Sequence, residues 1–171
     1  HGLVIRIIYL VVSIFWYIFL LCSRLLRKSA IILCYHGISL SQKKRFNWQI
    51  VKLSKLSQPK SIPVCESDRV KIHLPRILVN FDDAFANLLD NALPVLEEFR
   101  VTAIIFAVAN NLGSLPRWHM PEGHPEAEEI TMTAEQLTEI SKNPLIRIGS
   151  HTLTHPDLAK ISREQLKSEL V

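Results

Sequence analysis

The most apolar part of the chain lies close to its first residue. Residues Ile7 to Ser23 form a run of 17 without a charged side chain, and Arg24, Arg27 and Lys28 follow it. A membrane-spanning helix needs roughly 17–25 apolar residues, so this run lies at the lower edge of the required length. No small-x-small cleavage site follows it, which disfavours a cleaved secretory signal. The pattern therefore predicts a single-pass membrane anchor or signal-anchor over residues 3–28, with a buried core helix as the alternative.

Beyond that segment, short apolar runs alternate with patterns that are typical of helices. Four runs predict strands: Ala30–Tyr35, Arg76–Phe81, Val101–Val108 and Ile146–Gly149. The third run is apolar almost throughout, as expected for a parallel strand that is covered on both faces. Strands that alternate with helices imply an α/β fold with a parallel sheet or barrel and right-handed crossover connections.

The helix signals are of two kinds. In residues 87–99 apolar side chains recur at three- and four-residue steps, and Pro94 is expected to kink this helix or to lie in a first turn. Two segments fit the capping box, in which a hydroxyl and a glutamine side chain satisfy the first backbone amides of a helix. They are Thr133-x-x-Gln136 and Ser162-x-x-Gln165, which predict helices near 134–142 and 163–170. The polar stretch 39–73 and the proline-rich stretch 110–130 predict loops, the first with one short helix.

Composition narrows the function classes. A chain of 171 residues, 48% hydrophobic and 21% charged, suits one globular domain and excludes a disordered or collagen-like chain. The net charge of +4 is mildly basic, but aromatic and basic residues are not interleaved, so nucleic-acid binding is disfavoured. Cys22, Cys34 and Cys65 are far apart, which supports neither a disulfide framework nor a zinc knuckle.

Two groups of residues at predicted strand ends carry candidate chemistry. Asp82 and Asp83 directly follow the second strand, and two adjacent carboxylates repel each other unless a cation or metal pairs with one of them. The alternative for such a pair is a solvated turn or a helix N-cap. His151 and His155 follow the fourth strand, and imidazoles four residues apart can chelate one divalent metal ion. Ordinary surface or capping histidines are the alternative there.

The joint placement of the two groups strengthens the metal interpretation. Active sites of parallel α/β folds form at the carboxyl ends of the strands, so both groups can face one cleft. Two histidines and one carboxylate form a known catalytic zinc set, which leaves one position open for water. The second carboxylate is then free to act as a general base.

At these residues the sequence resembles the polysaccharide deacetylase family, also called the NodB-homology family or carbohydrate esterase family four. The similar stretches are ILVNFDDAFANLLDNALPVLEEFRVTAIIFAV, MTAEQLTEI and IRIGSHTLTHPDLAKISREQLKSEL. ILCYHGIS resembles the Tyr-His opening of the membrane-associated and exopolysaccharide-modifying members. The resemblance covers residues 30–171 and implies the N-terminal part of a distorted (β/α) barrel, here preceded by the predicted transmembrane helix.

The resemblance also implies roles for four residues. The first family motif runs Thr-Phe-Asp-Asp-Gly and makes Asp82 the catalytic base and Asp83 a metal ligand. The second motif, His-Ser/Thr-x-x-His, makes His151 and His155 the other two ligands of a divalent metal, with Zn²⁺ as the expected ion. The implied enzyme removes acetyl groups from a polysaccharide: N-acetyl groups of a chitin-like or peptidoglycan-like glycan, or O-acetyl groups of xylan. An N-acetylglucosamine-containing glycan is the expected substrate.

The sequence departs from the family pattern in three places. Asn80 replaces the motif threonine, and Ala84 replaces the motif glycine, which would tolerate a positive φ. The chain ends at Val171, before the places of the later motifs, which carry an arginine that orients the base and a histidine that acts as the acid. We therefore expect a domain truncated at its C-terminus. The alternative function is a truncated or degenerate, catalytically inactive, membrane-anchored domain.

The expected partners are an acetylated polysaccharide and a membrane, without nucleic acid. The family resemblance places the domain outside the cytoplasm, whereas the basic residues after the apolar run favour the opposite orientation. Other residues have two interpretations each. His36 either lines the cleft or packs at a strand end, and Trp118 either stacks on a sugar ring or anchors its loop. For His119, Glu122 and His124, a metal site is possible from the residue types, but a solvated loop is the favoured interpretation.

Overall fold

Helices and strands alternate along the chain in the computed structural model, which describes residues 2–26, 30–56 and 76–170. The elements in chain order are α1 (Gly2–Leu26), β1 (Ala30–Tyr35), α2 (Lys43–Leu56), β2 (Arg76–Phe81), α3 (Leu88–Asn91), α4 (Leu93–Glu98), β3 (Ala103–Ala107), α5 (Ala134–Ser141), β4 (Ile146–Ser150) and α6 (Arg163–Glu169). The four predicted strands are confirmed, with the third shorter than its apolar run.

The four strands form one sheet in which every neighbouring pair is parallel. The spatial order is β1-β2-β3-β4, the same as the order along the chain. A doubly wound sheet reverses its strand order at a switch point, whereas a (β/α) barrel adds each strand beside the previous one. The described sheet therefore has the strand order of part of a barrel and confirms the predicted α/β class.

The core lies between the sheet and the helices that follow β1, β2 and β3. Its largest fully buried side chains include Phe46 and Ile50 of α2, Phe81 of β2, Leu96 of α4 and Ile146 of β4. The ring of Tyr35, at the end of β1, meets Phe46 edge-on and stacks on Phe81. This aromatic cluster fixes the carboxyl ends of β1 and β2, which is the edge where the candidate residues lie.

The predicted helices are present, with one difference. Residues 87–99 form two short helices, α3 and α4, because Pro94 lies in the first turn of α4 and has no amide hydrogen to extend a helix that contains it. Both capping boxes are confirmed at the starts of α5 and α6. The stretch predicted as loop with one short helix holds the 14-residue helix α2, and its remainder, 57–73, lies outside the described residues.

The predicted membrane anchor is not supported. Its apolar run does form a helix, α1, whose side chains from Tyr9 to Phe19 are exposed. Within the described parts of the chain, however, no helix combines the length and the apolar character that a membrane crossing needs. Residues 27–28 of the predicted anchor lie outside the described residues.

Candidate metal centre

Both sequence-predicted groups lie at the carboxyl edge of the sheet. The ladder between β1 and β2 ends with the amide of Asp82 donating to Tyr35 O at 2.8 Å. The ladder between β3 and β4 ends with the amide of His151 donating to Ala107 O, also at 2.8 Å. Because the strands are parallel, their carboxyl ends lie at the same edge of the sheet, so the residues after β2 and those after β4 both begin at that edge.

A tight turn after β2 directs the Asp83 side chain into the protein. Asp83 and Ala84 both adopt left-handed backbone conformations, with φ of 67° and 51°. The segment around Thr131 fixes this turn: Met132 N donates to Ala84 O at 2.8 Å, and Phe85 forms an isolated antiparallel bridge with Thr131. The alanine that replaces the family glycine therefore adopts the positive φ that glycine would allow.

Asp83, His151 and His155 converge on one point. The Nε2 atoms of His151 and His155 lie 3.6 Å and 3.5 Å from Oδ1 of Asp83. The potential ligand atoms of the three residues all lie within 4.8 Å of one another. The two imidazole rings are 4.8 Å apart between centroids, at an angle of 60°. The structure thus brings together the three residues that the sequence analysis assigned to a metal.

The donor set fits a divalent cation better than it fits an internal hydrogen-bond network. Oδ1 of Asp83 is buried and accepts no hydrogen bond among the described residues, although buried carboxylate oxygens normally have partners. The 3.5–3.6 Å separations from the imidazole nitrogens are too long for hydrogen bonds. Two ligands that are each about 2.1 Å from a tetrahedral ion are about 3.4 Å apart. The distances from Asp83 to the two imidazoles therefore match the spacing of neighbouring ligands around a divalent metal.

The electrostatics of Asp83 agree with this interpretation. Its side chain is almost completely buried, and that burial raises the pKa of the carboxyl above its ordinary value. The positive charges of protonated His155, His151 and His36 lower the same pKa, while the negative charge of Asp82 raises it. Without a cation, the protein holds a carboxylate that is costly to ionise; a divalent ion between the three ligands would offset that cost.

Asp82 lies beside the cluster and has a different environment. It is half-buried, and the Cys34 thiol lies 3.0 Å from its Oδ2. Burial, the hydrogen bond to Asp82 and the charge of Asp82 raise the pKa of Cys34 to about 11. At neutral pH the group is therefore a thiol that donates its hydrogen to the Asp82 carboxylate. The sequence analysis did not assign this role to Cys34, although its place at the end of β1, next to β2, could have indicated it.

Two aromatic or basic side chains border the cluster. The ring of Trp118 lies 4.7 Å from that of His155 between centroids, inclined by 34°. Trp118 therefore packs on a candidate ligand rather than standing free. His36 is exposed, and because Tyr35 pairs with Phe81 it leaves β1 beside Asp82, at the edge where the cluster lies. This position favours the interpretation in which His36 lines the cleft.

The alternative metal group in the long loop is not supported. Among the residues that the structure describes, Asp83, His151 and His155 are the one group of three or more that could hold an ion. His119 and Glu122 are exposed, and His124 Nδ1 lies 4.0 Å from a carboxylate oxygen of Glu126. Glu126 instead accepts a hydrogen bond from Gly37 N at 2.9 Å, which ties this loop to the segment after β1.

Comparison with known proteins agrees with the fold and the site. The sequence model of the family described as "Polysaccharide deacetylase" matches residues 71–171, which are more than half of the chain. A curated relative, the polysaccharide deacetylase-family protein YxkH of Bacillus subtilis (strain 168), is 28% identical over 94 residues. That alignment covers 55% of this chain and 28% of the relative.

Solved structures show the same fold. IcaB from Ammonifex degensii superposes with a TM-score of 0.58 at 22% identity, over 81% of this chain and 58% of that chain. BC0361, a polysaccharide deacetylase from Bacillus cereus, gives a TM-score of 0.58 at 23% identity, over 82% of this chain and 46% of that chain. PplD, a deacetylase of Streptococcus pyogenes solved in complex with acetate, gives 0.58 at 18% identity, over 82% and 63%.

A parallel α/β sheet with a buried carboxylate and two histidines at its carboxyl edge defines a metal-binding α/β protein. This chain belongs to the polysaccharide deacetylase family, whose members are hydrolases. It spans about a quarter of the length of the curated relative and about half of the solved chains IcaB and BC0361.

Proposed function

We propose that this chain carries the metal-binding and base-bearing part of a polysaccharide deacetylase. The substrate class is an acetylated polysaccharide, and the N-acetyl group of an N-acetylglucosamine-containing glycan is the expected target. One observation carries the proposal: Oδ1 of Asp83 is buried, has no hydrogen-bond partner among the residues that the structure describes, and faces the Nε2 atoms of His151 and His155 at 3.6 Å and 3.5 Å.

In this proposal Asp83, His151 and His155 hold the divalent ion, with Zn²⁺ as the expected species. An ion held there supplies Lewis-acid chemistry, which acidifies water and polarises an acetyl carbonyl. The rigid turn after β2 orients Asp83, so the carboxylate reaches the ion site without rearrangement. This arrangement suits the histidine and carboxylate ligands that zinc enzymes use.

Asp82 acts as the general base. It precedes the ligand Asp83 in the chain, is half-buried, and keeps one carboxylate oxygen in contact with the Cys34 thiol. A thiol donor stabilises the carboxylate only weakly, so Asp82 remains able to accept a proton from attacking water. The leaving group of an amide substrate then requires a proton from a separate acid.

Metal titration of the purified chain tests the site. Isothermal titration calorimetry with Zn²⁺ on the metal-free protein is expected to give one ion per chain. Asp83→Asn and His155→Ala should each weaken binding by more than about 100-fold, because each removes one of three ligands. Asp82→Asn should bind nearly as tightly as the wild type. His119→Asn is the matched control, since it removes an exposed histidine outside the cluster.

Acetate release tests the reaction. A chitooligosaccharide and an aryl acetate are incubated with the Zn²⁺-loaded wild type and with Asp82→Asn. Any hydrolysis by the site should fall about 10²–10⁴-fold in Asp82→Asn, the usual contribution of a general base. Acetate release that is unchanged in Asp82→Asn would reject Asp82 as the base. Tight, Asp83-dependent metal binding with no release above background from either substrate would favour the catalytically inactive alternative.

A further inference from the structure

The loop that joins the two candidate histidine ligands has an unfavourable backbone. Thr152 and His155 both adopt left-handed conformations, with φ of 68° and 60°, although neither is glycine. Within the loop, His155 N donates to the Thr152 hydroxyl at 3.0 Å. Side chains with a Cβ disfavour this region of backbone space. Contacts from outside the loop must therefore hold it in the shape that directs both imidazoles at Asp83.

One set of outside contacts comes from the segment after β3. The amides of Ala109 and Asn110 donate to the carbonyls of Thr152 and Leu153 at 3.1 Å and 2.9 Å. These bonds satisfy carbonyl groups of the loop. The backbone amides of Leu153 and Thr154 still need hydrogen-bond acceptors.

Glu169, near the end of α6, supplies those acceptors. Its Oε2 accepts hydrogen bonds from Thr154 N at 2.8 Å and from Leu153 N at 3.0 Å, and the Leu153 amide is shared with the backbone carbonyl of Glu169 at 3.2 Å. Its Oε1 accepts a third from the Thr154 hydroxyl at 2.6 Å. Hydrogen bonds to an ionised acceptor are shorter and stronger than neutral ones. They also hold the pKa of Glu169 below its ordinary value, so the group is a carboxylate at neutral pH.

We propose that Glu169 is a positioning residue for the metal centre: its carboxylate clamps the loop 152–154 and thereby holds His151 and His155 at chelating distance from Asp83. The hydrogen bonds of the Glu169 carboxylate described here go to Leu153 and Thr154, which lie between the two candidate ligands in the chain. The inference rests on the proposed metal site and adds a residue from a helix that the site itself does not include.

A merely structural anchor for α6 would have a different signature. Loss of such an anchor would lower the stability of the metal-free protein and leave the affinity of the folded site unchanged. A positioning role requires that metal affinity falls in the folded protein, because the freed loop must be ordered each time an ion binds. Metal affinity and coordination geometry are therefore the deciding measurements, and thermal stability is the control.

The experiment compares Glu169→Ala and Glu169→Gln with Glu164→Gln, which changes an exposed glutamate in the first turn of the same helix. Zn²⁺ affinity is measured by competition with a chromophoric chelator, and coordination by the visible spectrum of the Co²⁺-loaded protein. Glu169→Ala should weaken affinity about 10–100-fold, the usual range for residues that support metal ligands. Glu169→Gln should weaken it less, since its side-chain oxygen still accepts hydrogen bonds, and Glu164→Gln should match the wild type.

Thr154→Val keeps the proposal testable if Glu169→Ala fails to fold. It removes only the hydroxyl that donates to Glu169 and should weaken Zn²⁺ binding about 2–10-fold. The double variant Thr154→Val/Glu169→Ala, where folded, should bind as weakly as Glu169→Ala alone, because the two act through one contact.

Two results separate the possible failures. The positioning role is overturned if Glu169→Ala keeps the wild-type Zn²⁺ affinity and an unchanged Co²⁺ spectrum while Asp83→Asn still abolishes binding. If Glu169→Ala does not fold, the same result for Thr154→Val overturns it. If Asp83→Asn also binds like the wild type, the proposed metal site itself is wrong.

Discussion

The two halves of the metal centre are held in different ways. Asp83 follows β2 on a turn that is packed into the core: Asp83 is 2% exposed and its neighbours Ala84 and Phe85 are fully buried. The side chains of His151 and His155 are about one-third exposed, at 31% and 33%. Their loop is held by hydrogen bonds to the segment after β3 and to Glu169.

This difference indicates a division of roles. The carboxylate is fixed by packing, so its position is set as soon as the core forms. The imidazoles are fixed by polar contacts that compete with water, so their position depends on a small number of hydrogen bonds. We therefore expect changes on the Asp83 side to affect stability strongly, and changes on the histidine side to affect metal affinity more than stability.

The largest expected effect is on the packed half. Phe85→Ala removes a fully buried ring directly after the Asp83 turn and should lower the free energy of unfolding by about 3–5 kcal/mol. The matched change in the other half, Leu153→Ala, removes an exposed side chain from the histidine loop and should cost less than about 1 kcal/mol. Urea denaturation of the metal-free variants measures both. Equal losses would contradict the difference between the halves.

A smaller effect is expected where β4 leads into the histidine loop. A Cβ added at Gly149 would lie 2.5 Å from the Phe106 ring, and the Phe106 ring centroid lies 6.3 Å from that of His151. Gly149→Ala should therefore displace Phe106 and cost about 1–3 kcal/mol, the usual range for overpacking. The double variant Gly149→Ala/Phe106→Leu should recover part of the loss. Thermal denaturation with and without Zn²⁺ checks whether His151 is disturbed as well.

The charge of Asp83 should destabilise the metal-free protein. Burial raises its pKa in the folded state, so between the unfolded and the folded pKa values the folded protein binds more protons than the unfolded chain. Its contribution to stability therefore falls as the pH rises through the folded pKa. Asp83→Asn removes this dependence and should raise the metal-free stability near neutral pH by about 1 kcal/mol, or roughly 2–4 °C in Tm.

Calorimetry of wild type and Asp83→Asn between pH 4 and pH 8 measures that effect. The difference between the two should grow with pH, and saturating Zn²⁺ should reverse it by stabilising only the wild type. A difference that stays constant over this pH range would show that the buried carboxylate is not the cause.

The smallest expected effect concerns the ring on His155. Trp118→Ala removes the aromatic surface that packs on this imidazole and should weaken Zn²⁺ binding about 2–5-fold, with little change in metal-free stability. Trp118→Phe should recover most of the affinity because a phenyl ring can pack in the same place. If Trp118→Ala weakened Zn²⁺ binding as much as His155→Ala does, the loop that carries Trp118 would have to supply a metal ligand.

Local patterns in the sequence predicted much of the fold. The four strands, both capping boxes and the effect of Pro94 follow from signals within a few residues, and the structure confirms them. The apolar run near the start of the chain correctly predicted a helix, but no helix among the described residues has the length and apolar character of a membrane span, so the anchor is not supported.

The candidate metal site also has features that the sequence predicted and features that it did not. The sequence by itself determined that the pair Asp82 and Asp83 and the pair His151 and His155 follow strand ends, which parallel strands bring to one edge. The family resemblance in the same sequence then selected Asp83, His151 and His155 as the candidate ligands. The tertiary structure alone decided which side chains contact this site: the thiol of Cys34 on Asp82, the ring of Trp118 on His155, and the carboxylate of Glu169 on Leu153 and Thr154. Apolar runs and helix caps are signals within a few residues, whereas these three contacts join segments that are distant in the chain and meet only in the folded protein, so no short-range pattern encodes them.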